Sequence, residues 1–247
     1  MSETYEEAEK RVWDRIAAEY PEFTRDMDPY HDPYTLDKLL FGKEMQLRTF
    51  PGGNVLDIGA NCGVLSAFWA AYGANVIAHE ADPVTFNDLS TMLEKSGLLG
   101  KVHPINAAIW TRNGKIKFRG NGFNSEARTI RGGCLWVSDR PDGFYEDPSA
   151  FEVEVPCVSF NQALKSTVWD YVKMDIEGAE YAVLAAADLD KMKKQIKQMH
   201  LELHPEWADD EVYRATLHRL ECVFEISGGR HSGDRYHWLH LKNKDLP

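Results

Sequence analysis

The feature that most constrains this chain is an apolar run that ends in an aspartate and passes within two residues into a glycine turn: "VLDIGANCGV", residues 55–64. Short continuous apolar runs are how strands buried on both faces read. A turn carrying Gly59 and Gly63 leads from this run into "GVLSAFWAAYG", a helix closed by Gly73. The same strand, turn and helix then recur. "NVIAHE" is a strand, and "PVTFNDLSTMLEKSG" is a helix with Pro83 near its start and Gly97 after its end. "KVHPINAAIW" and "KIKFRG" read as two further strands joined by "TRNG", and "FEVEVPCVSF" and "WDYVKMDI" as two more. After them come the helix "GAEYAVLAAADL", the strand "IKQMHLELH", the helix "DDEVYRATLHRL", and a terminal hairpin of "CVFEIS" with "YHWLHLK". Such alternation predicts an α/β fold, a Rossmann-like doubly wound and mostly parallel sheet with antiparallel strands at its end.

Upstream of this pattern, residues 4–20 have Val12, Trp13, Ile16, Ala17 and Tyr20 at helical spacing. "PEFTRDMDPYHDPYT", with its prolines, breaks that helix, and a second is expected over 35–49. The expected organisation is an N-terminal helical extension, 1–50, and one α/β domain, 51–247, as a chain of 247 residues suggests. Residues 119–150 fit no element well, and a loop of that length is usually functional or disordered. Its Trp136, Phe144 and Tyr145 leave two readings open, a substrate lid or an ornamental insertion.

A net charge of −11 disfavours a general nucleic-acid backbone binder, because phosphate binding needs a basic surface. Cys62, Cys134, Cys157 and Cys222 lie far apart with no CxxC pair, which speaks against a zinc knuckle or a disulfide scaffold. The charged N-terminus has no apolar h-region, and no apolar run reaches the ~18 residues of a membrane span. A reduced, cytoplasmic setting without membrane contact is the expectation.

Ligands of open α/β sheets sit at the carboxyl ends of the strands. The spacing there is Asp57-x-Gly59-x-Asn61-x-Gly63. It departs from the GxGxxG that seats a dinucleotide pyrophosphate on a helix N-terminus. An acid two residues before the turn repels a pyrophosphate and suits a cationic ligand. "HEADP" ends the next strand, where Glu80 can accept hydrogen bonds from both hydroxyls of a ribose. Asp82 can reach a base edge or cap the following helix.

Four stretches in order, "VLDIGANCG", "VIAHEADP", "INAAIWTRNGKIKF" and "DYVKMDIEGAEYAVL", resemble the class I methyltransferases that use S-adenosylmethionine, and the FkbM family among them. The resemblance covers about residues 53–205. It implies methyl transfer to a hydroxyl of a small molecule or saccharide. Asp57, Gly59, Asn61 and Gly63 would line the methionine end of the cofactor, Glu80 would hold the ribose, and Asn106 with Ala107 would lie near the adenine.

"KMDIEGAEY" brings Asp175, Glu177 and Glu180 to a strand end, and "HLELH" brings Glu202 and His204 to the same rim. A hydroxyl attacks well only while it shares its proton with a base. Asp175 and Glu177 are the first candidates and His204 the second, while Glu180 equally fits a plain first-turn acid. Asp175, Glu202 and His204 also match the ligand mix of magnesium or manganese, but each has another role, so no metal is assigned. Near the C-terminus Arg230 and Arg235 fit a solvated turn or the recognition of an anionic substrate. Two rivals remain: a nicotinamide oxidoreductase, disfavoured by the glycine spacing, and a non-catalytic module, which would not need the acidic motif.

Overall fold

Strand β1 (Asn54–Ile58) is the axis of the molecule, seen here in a computed structural model that describes residues 49–121, 150–204, 208–229 and 237–246. The helices expected over 4–20 and 35–49, the bulk of the 119–150 loop, Arg230 and Arg235 lie outside the described residues. Val55, Leu56 and Ile58 are fully buried, as a strand between two helical layers must be. Side chains alternate along a strand, so Val55 and Asp57 face one layer while Leu56 and Ile58 face the other.

The first layer is α1 (Val64–Ala71) and α2 (Pro83–Lys95), whose Leu65, Phe68, Trp69, Leu89 and Leu93 pack with Val55. Trp69 and Leu89 are wholly enclosed, and truncating either to alanine would cost roughly 2–5 kcal/mol. On the opposite face Leu56 and Ile58 meet residues of α3 (Phe160–Ala163), α4 (Glu180–Ala185), α5 (Leu189–Gln195) and α6 (Asp210–Glu221).

The remaining strands of the main sheet are β2 (Asn75–Glu80), β3 (Val102–Asn106), β7 (Tyr171–Met174), β8 (Gln198–Leu203), β9 (Phe224–Gly229) and β10 (His237–Asn243). Their order is β3-β2-β1-β7-β8-β10-β9. β10 runs antiparallel to β8 and β9, which is the expected terminal hairpin, and the other pairings are parallel. β2 and β7 flank β1 on opposite sides, so the strand order reverses there and opens the crevice where such sheets bind ligands. Among the described residues no helix is long and apolar enough to cross a membrane.

Two local expectations are corrected. "KVHPINAAIW" is not one strand: it breaks at Ala107, whose N–H turns back to the Ile105 carbonyl (3.0 Å). Its first half is β3, an edge strand that tolerates Pro104. Its second half is β4 (Ala108–Trp110), which leaves for a second sheet with β5 (Gly114–Asn121) and β6 (Ala150–Ser159), in the order β4-β6-β5. The "GAEYAVLAAADL" helix ends at Ala185, because Asp188 caps a new helix, α5, by accepting from the Lys191 N–H (3.1 Å). The short α3 begins where Ser159 accepts from the Gln162 N–H (3.2 Å).

Candidate active site

The turn after β1 is shaped by contact as well as by torsion. Gly59 has φ 77°, and a Cβ there would lie 1.9 Å from the backbone oxygen of Asp175. Only glycine lets the ends of β1 and β7 come this close. Gly63 has φ 87° and presses on α2, where an added Cβ would fall 2.1 Å from Leu89 Cδ1. Asn61 is left-handed too (φ 53°), a conformation that asparagine tolerates, and its Oδ1 accepts from the Cys62 N–H (2.8 Å). The N–H groups of Gly59 and Ala60 both donate to the His79 carbonyl at the end of β2.

Asp57 supports this bend from beneath. It is fully buried, and its Oδ2 accepts from Ser66 Oγ (2.6 Å) while Oδ1 lies 3.7 Å from Lys173 Nζ. Burial raises its pKa, and Lys173 and Ser66 oppose that rise. Lys173 Nζ donates to the Gly59 carbonyl (2.6 Å) and lies 3.7 Å from Asp175 Oδ2. Burial works to lower the lysine's pKa, but Asp175 and Asp57 raise it on balance, so it stays charged.

Glu80 faces the same crevice and is clamped by backbone. Its Oε2 accepts from the Asn61 N–H and its Oε1 from the Asp82 N–H, both at 2.8 Å. Burial pushes its carboxyl up to about 7 against the pull of those two donors. Asp82 caps α2 by accepting from the Val84 N–H (2.8 Å), the second of its two expected uses. Asn106 Nδ2 donates to the carbonyls of Glu80 (2.9 Å) and Ala81 (3.2 Å), tying β3 to β2, and buried Ala107 follows it.

The ends of β7 and β8 carry the acids. Glu180 is fully buried, and its carboxylate accepts from the N–H groups of Ile176 (2.7 Å) and Gly178 (2.8 Å). It folds the "DIEG" loop back on itself. Glu177, at the loop's crest, holds an unusual φ of 55°. His204 is buried in the middle of the cluster. Its Nδ1 lies 3.3 Å from Glu180 Oε1; its Nε2 lies 3.4 Å from Glu177 Oε2, 3.9 Å from Glu202 Oε1 and 4.0 Å from Asp175 Oδ1. Burial works to lower the histidine's pKa, but the hydrogen bond and charge of Glu180, with Asp175 and Glu177, raise it to about 9. Burial first and Asp175 second push Glu177 up to about 7, and the same two causes lift Glu202 far above the carboxylate range.

Among the described residues, the expected cofactor and acidic-cluster residues thus gather on one rim, at the carboxyl ends of the parallel strands. Ser66 under Asp57 went unassigned in the sequence; Lys173, read there only as neutralising the acids, links the two halves, and Glu180, read there as a first-turn acid, clamps a loop. Lys173 left a signal, since a charge inside the buried strand "YVKM" requires opposite charges close by.

A family model described as the methyltransferase FkbM domain matches residues 57–226. Among solved structures, a methyltransferase FkbM from Methylobacillus flagellatus KT superposes with a TM-score of 0.54 at 15% identity, covering 83% of this chain and 47% of that one. The chain therefore spans about half the length of that protein. Aeropyrum pernix fibrillarin, solved with natively bound S-adenosyl-L-methionine, aligns at 14% identity over 84% of this chain and 74% of its own, with a TM-score of only 0.47. A search of curated proteins finds no match. At these identities the solved structures speak for the fold alone, a class I methyltransferase sheet.

Proposed function

Because this chain belongs to the FkbM methyltransferase domain family, we propose that it moves the methyl group of S-adenosylmethionine to a hydroxyl oxygen of a small molecule or saccharide. The observation that carries this reading is Glu80, held in the crevice by two backbone N–H groups, one on each oxygen. Each carboxylate oxygen keeps a lone pair, enough to receive the two hydroxyls of a ribose. The bend Gly59, Asn61, Gly63 would take the methionine end, with Asp57 fixing it from below. Asn106 and Ala107 would border the adenine, and Asp82, through its N–H, would hold Glu80 in place. The domain reading, 51–247 with an extension at 1–50 and an insertion at 119–150, belongs to the same proposal; the family match over 57–226 supports it.

When bound, the cofactor supplies a methyl on a cationic sulfur; the carbon–sulfur bond breaks as the carbon–oxygen bond forms, and the bonding pair stays on sulfur. The carboxylates of the rim favour that cation over the neutral thioether left behind. Glu177 receives the acceptor's proton. Its side chain is 40% exposed while Asp175 is 25% exposed, and a pKa of about 7 suits a base working near neutrality. While no cation occupies the rim, His204 is the positive neighbour that partly offsets the crowding of Glu177, with its Nε2 3.4 Å from Glu177 Oε2. Turnover would be read as release of S-adenosylhomocysteine across a panel of sugars, phenols and hydroxy acids. Glu177→Gln should abolish the release that the unmutated protein gives, and unchanged release would move the base elsewhere.

A further inference from the structure

We propose that Asp175, Glu202 and Nε2 of His204 bind one divalent metal ion of the manganese or magnesium type. β7 and β8 are parallel and in register at Met174 and Leu201, so Asp175 and the 202–204 segment leave the sheet at the same end. Alternation along β8 then places Glu202 and His204 on one face. Glu180 holds Nδ1 of the imidazole at 3.3 Å and is itself pinned by two backbone N–H groups. That arrangement is how a metal-ligating histidine is usually oriented, with its far nitrogen held by a carboxylate.

The other nitrogen is aimed at three carboxylate oxygens between 3.4 and 4.0 Å away. An octahedral ion with bonds of about 2.1 Å joins ligand atoms about 3.0 Å apart when adjacent and about 4.2 Å when opposite. Donor atoms of Asp175, Glu180 and His204 also lie within 4.8 Å of one another. Glu180 lies on the Nδ1 side of the ring, so it orients the imidazole and does not share the ion at Nε2. Glu177, more exposed, closes the remaining side.

A separate observation points to a cation. The Glu202 side chain is only 7% exposed, and its carboxylate shares a hydrogen bond with another acid, Asp175. Asp175 Oδ1 is itself buried without a hydrogen-bond partner. Carboxylates this enclosed are normally met by donors or positive charge. Lys173 offsets only part of this charge, since its Nζ donates to the Gly59 carbonyl and lies between Asp57 and Asp175. One imidazole among carboxylates suits manganese, with magnesium next. An ion there would lower the pKa of a bound hydroxyl and ease its proton onto Glu177; this role, unlike the site, rests on the methyltransferase reading.

The test is a titration of the full chain with Mn²⁺ in the absence of cofactor, with free ion followed by electron paramagnetic resonance. One saturable equivalent is expected, weakened at least tenfold by Glu202→Gln and by Asp175→Asn, each with an unchanged near-ultraviolet spectrum. Asp175→Asn, at a partly exposed position, stands in if Glu202→Gln does not fold. Asp245→Asn, on an exposed pair with Lys193, should bind as before. No saturable binding by the unmutated chain would overturn the proposal, as would equal binding by both site variants. S-adenosylhomocysteine affinity of the chelated protein, measured in parallel, keeps a failed metal site distinct from a failed cofactor site.

Discussion

At the ends of β1 and β2, Asp57, Glu80 and Asp82 each receive hydrogen bonds from N–H or O–H groups nearby in the chain. At the ends of β7 and β8, Asp175, Glu177 and Glu202 face mainly one another and a single histidine. The same residue type therefore does two kinds of work within one crevice. Carboxylates satisfied by backbone are rigid and shape a binding surface. Glu177 and Glu202, crowded by like charge, have raised proton affinities and are ready to exchange a proton or hold a cation. Lys173 touches both halves, with Asp57 on one side and Asp175 on the other.

The contact between the halves is the easiest thing to break. Gly59→Ala puts a methyl group against the Asp175 carbonyl and forces a left-handed φ, so a loss of roughly 3–5 kcal/mol is expected in denaturant unfolding. A smaller loss would mean that the two strand ends approach less closely than described. Glu177→Gln should act on one half only: kcat falls by about 10²–10⁴ while S-adenosylhomocysteine affinity stays within about threefold. The same residue sets the pH profile. Its pKa is raised to about 7 and the base form is the deprotonated one, so kcat should climb with pH and level off above about 7. That limb should vanish in the variant.

Asp57→Asn should do the reverse, weakening cofactor binding about tenfold through the lost charge opposite Lys173 and the altered bond to Ser66. At the bottom of the scale, Lys115→Ala removes an ion pair with Glu154 that is exposed on both sides and far from the crevice. Neither unfolding nor affinity should change measurably.

The half built on β1 and β2 was largely legible in the sequence because its logic is local. An apolar strand, a glycine turn and an acid one strand later are read within 30 residues, and β1, α1, β2 and α2 stand where the pattern put them. Asp82 was ambiguous between cap and ligand contact, and its side chain caps α2. The acidic half was legible as a list of residues but not as an arrangement. Glu180 looks like an ordinary first-turn acid until the left-handed backbone of Glu177 and Gly178 turns the loop onto it. The second sheet was missed for a related reason: β4 pairs with β6, far along the chain, rather than with the neighbouring β5, and no local periodicity announces such a partner.

The account rests on Glu80 gripping a ribose at the strand reversal. The most direct measurement is calorimetric titration of the unmutated protein with S-adenosylhomocysteine and with its analogue lacking both ribose hydroxyls. Binding of the first at least tenfold tighter than the second is the predicted result. Equal affinity for the two, or no binding of either, would contradict it.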